Sequence, residues 1–271
     1  MIEHRITLSG QDIAFHDSEG TGRPVILVHG NSSSSRVWHS LLNGDFGKRF
    51  RCLAFDLPGH GDSAPAKDPE LYSAPGYAAV LADFAEATTA EDAVIVGWSL
   101  GGHIALEAAP ALPAAAGFIL FGTPPVTGPA DLAQAFLPNP AMAVGFQADI
   151  DADQARAFAE SFLAPGSTLP TDDLVEDIRR TDGAARERLF ASIQAGRLAD
   201  EVQIISRLGR PIAILHGEHD QLINLEYLRG LTIPTLWRGA VQVLPGAGHI
   251  PQVEAPEDFA DLLTRFLADI G

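Results

Sequence analysis

The sequence predicts an α/β fold: a mostly parallel eight-stranded sheet, helices on both faces, and a helical cap inserted after the sixth strand. Three observations support this. Short, nearly continuous apolar runs recur with the length of strands buried on both faces. Segments with helical spacing lie between most of them. One long stretch, residues 124–208, contains no strand candidate at all.

Residues 5–9 and 11–17 alternate polar and apolar around Gly10, the pattern of an antiparallel hairpin. The apolar runs follow at 25–28, 52–55, 93–96, 118–121, 212–215 and 241–244. Tyr77, Val80, Leu81 and Phe84 share one helix face, with Ser73 as cap and Pro75 in the first turn. Residues 99–111 and 255–270 also have helical spacing. In the latter, Pro256 opens the helix and Phe259, Leu262, Leu263, Phe266 and Leu267 form its apolar stripe. Strand–helix alternation of this kind yields a doubly wound sheet with right-handed crossovers. From 124 to 208 the chain is Ala-rich and acid-rich, punctuated by Pro138, Pro140, Pro165, Gly166 and Pro170. That is too long for a loop in a compact domain. It reads as a helical cap, leaving 1–123 and 209–271 as the core domain.

With 271 residues, 46% of them hydrophobic, the chain can bury a large single core. Lys and Arg number 18 against 35 Asp and Glu, a net charge of −17. Such a surface repels phosphate backbones and anionic lipid, so neither nucleic acid nor membrane is an expected partner. Met1-Ile2-Glu3-His4-Arg5 opens a strand-like alternation, not a signal peptide, and no apolar run is long enough to span a bilayer. The expectation is a cytoplasmic chain, monomeric or weakly dimeric. The single cysteine, Cys52, excludes an internal disulfide and reads as a buried strand thiol.

The chemistry concentrates at Val94-Ile95-Val96-Gly97-Trp98-Ser99-Leu100-Gly101-Gly102-His103: an apolar strand, a G-x-S-x-G and the start of a helix. On such a turn the serine is strained and its Oγ stands above the sheet, while side chains two residues either side would collide. The following helix aims its first amides and its dipole at the same place, favouring an oxyanion. Ser99 is therefore the candidate nucleophile.

A serine hydroxyl needs a base within hydrogen-bond reach, and this arrangement places the partners in the order serine, acid, histidine. Of nine histidines, only His249 follows a late strand on a tight turn, Pro245-Gly246-Ala247-Gly248-His249. His29 and His60 lie in glycine turns before the serine, where backbone bonding is the expected role. The acid should follow the seventh strand, where Gly217-Glu218-His219-Asp220 offers two carboxylates. Asp220 has the better spacing; Glu218 is the rival. The histidines and acids of this turn are too sparse for a metal site, and no metal or organic cofactor is expected. The oxyanion hole needs two backbone N–H groups, assigned to Leu100 and to Asn31 in the loop after the third strand. The Asn31 side chain either touches substrate or shapes that loop. Asp56-Leu57-Pro58-Gly59-His60-Gly61-Asp62-Ser63 reads as a structural turn.

Over nearly its whole length the sequence resembles the α/β-hydrolase superfamily, matching its motifs in order at His29-Gly30, Asp56-Leu57-Pro58-Gly59-His60-Gly61, Gly97-Trp98-Ser99-Leu100-Gly101 and Gly248-His249. It is closer still to the α/β-hydrolase-fold N-acylhomoserine lactonases. That likeness rests on His29-Gly30-Asn31-Ser32-Ser33-Ser34, on Gly97 through Ile104, on Gly122-Thr123-Pro124-Pro125-Val126, and on Arg180-Thr181-Asp182-Gly183-Ala184-Ala185-Arg186 within the cap. In the lactonase pattern the acid is a glutamate; here the turn carries Asp220, one methylene shorter. The resemblance implies the α/β-hydrolase fold and metal-free opening of an acylhomoserine lactone through an acyl-enzyme on Ser99. It implies substrate contacts from Asn31 and Trp98, and an acyl tunnel from Phe136, Met142, Phe146, Phe158 and Phe162, for which ordinary packing is the competing role. A general carboxylesterase on small esters, or a catalytically silent small-molecule receptor, would carry the same motifs. Dehalogenases and epoxide hydrolases need an aspartate where Ser99 stands.

Overall fold

The computed structural model describes residues 1–271. Its strands are β1 (Ile2–Leu8), β2 (Gln11–Asp17), β3 (Gly22–Val28), β4 (Phe50–Phe55), β5 (Val94–Trp98), β6 (Gly117–Phe121), β7 (Ile212–Gly217) and β8 (Gln242–Leu244). They form one sheet in the order β1-β2-β4-β3-β5-β6-β7-β8. Only the pairs β1–β2 and β2–β4 are antiparallel. The hairpin turns at Ser9 and Gly10, both at positive φ. The strand order reverses around β3, which has β4 on one side and β5 on the other. Loops leaving the carboxyl ends there diverge and open a crevice, the usual ligand site of such sheets.

The helix Ala74–Ala87 begins where the sequence places it: Ser73 Oγ accepts the Gly76 N–H at 3.1 Å, and Pro75 lies in the first turn. Tyr77, Val80, Leu81 and Phe84 are all buried, and Phe84 stacks on Phe55 with centroids 4.6 Å apart. The last helix, Pro256–Ile270, buries Phe259, Leu263, Phe266 and Leu267, each contributing about 2 kcal/mol of apolar transfer; Leu262 is only half-buried. Most element ends lie one to three residues from expectation, and two of these shifts flank Ser99. The strand expected at 93–96 runs on to Trp98, because Gly97 and Trp98 pair with Leu120 and Phe121. The helix expected at 99–111 starts at Leu100 and gives way to a 3₁₀ turn at Ala109–Ala111, where Pro110 has no N–H to continue it.

Between β6 and β7 the regular elements are all helical, the longer ones being Ala152–Ser161, Asp172–Arg180, Gly183–Gln194 and Glu201–Arg207. A lone bridge joins Phe136 to Ile223. The Arg180–Arg186 segment has a physical role. Arg180 pairs with Asp62 at 2.6 Å, and Tyr72 Oη donates to Asp182. Arg186 is buried and donates to the carbonyls of Gln147, Ile178, Thr181 and Ala148. Ser34 Oγ donates to Asp177 at 2.6 Å, and Arg36 pairs with Asp173 and Glu176. These contacts tie the helices to each other and to the loops that follow β3 and β4.

The turn after β4 is structural. Asp56 accepts the N–H groups of Ser35 (2.6 Å) and Asp62 (2.8 Å). His29 Nε2 accepts the Leu57 N–H at 3.0 Å, and His60 Nδ1 donates to Pro58 O at 3.1 Å. Cys52 is buried, and burial pushes its thiol up to about 12, leaving it inert.

Burial holds the His29 and His60 imidazoles down at about 4 and about 3. The unfolded chain binds a proton at each as pH falls through about 6.5, and the native chain does not. Their stabilising contribution is complete above that pH and is lost as pH falls toward their folded values. Asp177 acts oppositely: burial raises it to about 6, so the native chain keeps a proton that the unfolded chain has released. One of the two histidine protons is thereby offset. For these three groups together that is a loss of about 1.4 kcal/mol per pH unit just below pH 6, and burial of His39 and His216 acts in the same direction. Thermal unfolding followed from about pH 7 down to about pH 5 should show a falling Tm; a flat or rising Tm contradicts this.

Candidate active site

β5 delivers Ser99 onto a turn with φ 53° and ψ −119°, strained for a residue with a Cβ. Its neighbours hold it there. Ser99 N–H donates to Phe121 O at 2.9 Å, and Ser99 O accepts from Thr123 Oγ1 at 2.7 Å and from Gly102 N–H at 2.9 Å. The glycines are required by close approach: a Cβ on Gly97 would lie 2.5 Å from Gly101 O, and one on Gly101 would lie 2.2 Å from Val28 O. Leu100 is the first residue of the helix Leu100–Ala108, so its N–H has no acceptor within the helix.

His249 follows β8 and is buried. Its Nδ1 donates to Asp220 Oδ2 at 2.9 Å. Its Nε2 has no partner in the protein, and His249 and Ser99 line one cavity. Trp98 Nε1 donates to the His249 carbonyl at 2.8 Å, and Phe162 lies against the imidazole at 5.9 Å. Asp220 Oδ1 accepts the N–H groups of Leu222 (2.8 Å) and Ile223 (3.2 Å), which turns Oδ2 toward His249. Burial alone would raise the Asp220 carboxyl, but His249 and the Leu222 N–H more than reverse this and hold it below the ordinary carboxylate range. Glu218 points elsewhere: half exposed, it caps the Gly246 N–H at 2.9 Å. No three His, Cys, Asp or Glu side chains converge anywhere as a ligand set.

The cavity has a volume of about 250 Å³ and is lined mostly by apolar side chains, among them Trp98, Leu100, Phe136, Met142, Phe146 and Phe158. The tunnel candidates, Phe162 included, line one space, and Phe158 and Phe162 also pack edge to face within its wall. Asn31 also lies on this wall, but its side chain is engaged: Nδ2 donates to Gly145 O at 2.6 Å and Oδ1 accepts from Ser32 Oγ. The loop-shaping role is the one observed for that side chain.

Two features escaped the sequence reading. Gly122, at φ +61°, lies against His249; a Cβ there would be 2.6 Å from the imidazole Cε1. The second is a pair at the cavity wall, from the half-buried His103 Nδ1 to the buried Glu201 Oε1 at 2.8 Å. Neither follows a spacing rule, since both depend on contacts between distant elements.

A hydroxyl on a strained turn, an imidazole braced by a buried carboxylate, and a helix-start N–H gathered at an apolar cavity are the parts of nucleophilic acyl transfer.

A family model described as the alpha/beta hydrolase family matches residues 25–262. Among curated proteins, the pimeloyl-[acyl-carrier protein] methyl ester esterase of Methylococcus capsulatus is 30% identical over 94% of this chain and 98% of its own length. That of Pectobacterium carotovorum subsp. carotovorum is 28% identical over 93% and 97%. Among solved structures, the N-acyl homoserine lactonase AidH complexed with N-butanoyl homoserine superposes with a TM-score of 0.95 at 35% identity, covering 100% of this chain and 97% of that one. The esterase RhEst1 from Rhodococcus sp. ECU1013 shares the fold at a TM-score of 0.84 and 24% identity, over 100% of each chain. No helix is long and apolar enough to cross a membrane.

Proposed function

The chain belongs to the alpha/beta hydrolase family, and from that premise we propose that it is a serine hydrolase opening the lactone ring of N-acyl homoserine lactones. Ser99 Oγ attacks the ring carbonyl while His249 Nε2 takes its proton. Asp220 holds the imidazole in the tautomer that leaves Nε2 free and stabilises the imidazolium once it forms. The N–H groups of Leu100 and Asn31 receive the oxyanion. As the carbonyl–oxygen bond of the ring breaks, His249 gives its proton to the departing alkoxide. That alkoxide stays tethered to the acyl group on Ser99. Water, activated by His249, then hydrolyses the acyl-enzyme and releases N-acyl homoserine with a free hydroxyl and a new carboxylate. Residues 124–208 act as the cap, and the aromatic wall of Phe136, Phe146 and Phe158 with Met142 takes the acyl chain.

The observation that carries this reading is the likeness to the AidH lactonase structures, which extends over the whole chain, cap segment included. The second reading is a carboxylesterase on small esters, favoured by the names of the curated relatives. Measured kcat/KM on N-hexanoyl homoserine lactone and on a matched p-nitrophenyl ester separates the two. The lactonase reading expects efficient ring opening; turnover of the aryl ester alone would leave the esterase.

A further inference from the structure

His103 and Glu201 form a second imidazole–carboxylate pair in the same cavity, with no part in the chemistry above. His103 lies four residues past Ser99 on the helix Leu100–Ala108, and its ring is part of the cavity wall. Its Nδ1 donates to Glu201 Oε1 at 2.8 Å, while Glu201 Oε2 accepts the Val126 N–H at 2.9 Å. Glu201 is wholly inaccessible to solvent. A carboxylate so far from water is tolerated only when its oxygens are satisfied, and here each has a donor. That commitment fixes the imidazole, since the bond made by one ring nitrogen sets the role of the other. The ring is further held by stacking on Phe136, with centroids 6.5 Å apart and planes 28° apart. Nε2 is then the one hydrogen-bonding atom His103 has left to offer. The cavity it lines is mostly apolar, with Val126, Leu132, Phe136, Ile193 and Leu198 in its wall and Gln194 the other polar side chain outside the catalytic groups and Asn31. An oriented polar atom in a mostly apolar wall is how small-molecule pockets fix the position of a ligand's polar substituent.

We propose that His103 is a specificity-determining residue whose Nε2 hydrogen-bonds an oxygen substituent on the substrate's acyl chain. The proposal rests on the reading of Ser99 as the nucleophile. The helix rise puts His103 about 6 Å along the axis from Ser99. Six extended bonds span about 7 Å. In an acyl homoserine lactone, six bonds from the ring carbonyl is an oxygen on the third acyl carbon. A hydroxyl there can donate to or accept from Nε2, so it is served in either protonation state of the ring.

The test is a ratio of kcat/KM values, N-(3-hydroxyhexanoyl) against N-hexanoyl homoserine lactone, for the wild type, His103→Leu and His103→Gln. Any general loss of activity divides out of the ratio. Removing one hydrogen bond in an apolar pocket should lower the ratio about tenfold in His103→Leu. The His103→Gln amide should restore much of it. An unchanged ratio, with both substrates slowed alike, makes the pair a structural brace and overturns the proposal. The same ratio on p-nitrophenyl 6-hydroxyhexanoate against its methyl isostere, the heptanoate, places the hydroxyl at the same six-bond distance without a lactone. Failure of both pairs sinks this inference; failure to open any lactone, with the ester ratio still dependent on His103, sinks only the lactonase reading. Should His103→Leu not fold, wild-type preference for the hydroxyl over the methyl isostere decides alone, and its absence counts against the proposal.

Discussion

Ser99→Ala is expected to lower kcat by about ten-thousand-fold or more on any ester or lactone the protein turns over, with little change in Tm. The reason is local. Alanine carries the same Cβ on the same φ 53° turn, so the backbone bonds to Phe121, Thr123 and Gly102 survive. Only the Oγ is lost, and no other hydroxyl nucleophile has been placed beside His249. What remains is binding and oxyanion stabilisation by backbone N–H groups, which the substitution leaves in place. Steady-state rates alongside thermal unfolding give the check. Activity within tenfold of wild type would remove Ser99 from the mechanism.

Asp220→Asn should be nearly as damaging, about a thousandfold or more in kcat. Asparagine keeps an oxygen to accept the Leu222 and Ile223 N–H groups, so the turn holds. Its amide N–H₂ then faces His249 Nδ1, which must accept rather than donate. The ring proton moves to Nε2, the nitrogen required to take the proton of Ser99. Glu218→Gln, a change at a half-exposed cap of Gly246, should leave rates within about twofold. A large loss at Glu218 and a small one at Asp220 would reverse the assignment of the acid.

The parts legible in sequence were those set by local geometry. Gly97-Trp98-Ser99-Leu100-Gly101 after an apolar run locates the elbow, because only glycine fits beside Gly102 and Val28 at those two positions. The hairpin about Gly10, the cap at Ser73 and the stripe on Pro256–Ile270 are likewise local patterns. Spacing favoured Asp220 over Glu218, but the physical reason was not legible. Both sit on one turn, and what separates them is the direction imposed by the Leu222 and Ile223 amides. Nor does any pattern announce that Gly122 makes room for His249, or that His103 meets a glutamate 98 positions away. The first contact exists only once β6 and β8 lie in one sheet, the second only once the helical segment has folded back onto it.

The central claim, that Ser99 opens a lactone ring through a covalent intermediate, has a distinctive mass signature. In a simple ester the alcohol leaves before deacylation; in a lactone it stays attached. Rapid-quench mixing with N-hexanoyl homoserine lactone, followed by peptide mass mapping, should find the Ser99 peptide heavier by the full mass of the lactone, and Ser99→Ala should carry no adduct. An unmodified Ser99 peptide at every quench time while lactone is consumed, or an equal adduct in Ser99→Ala, would contradict the account.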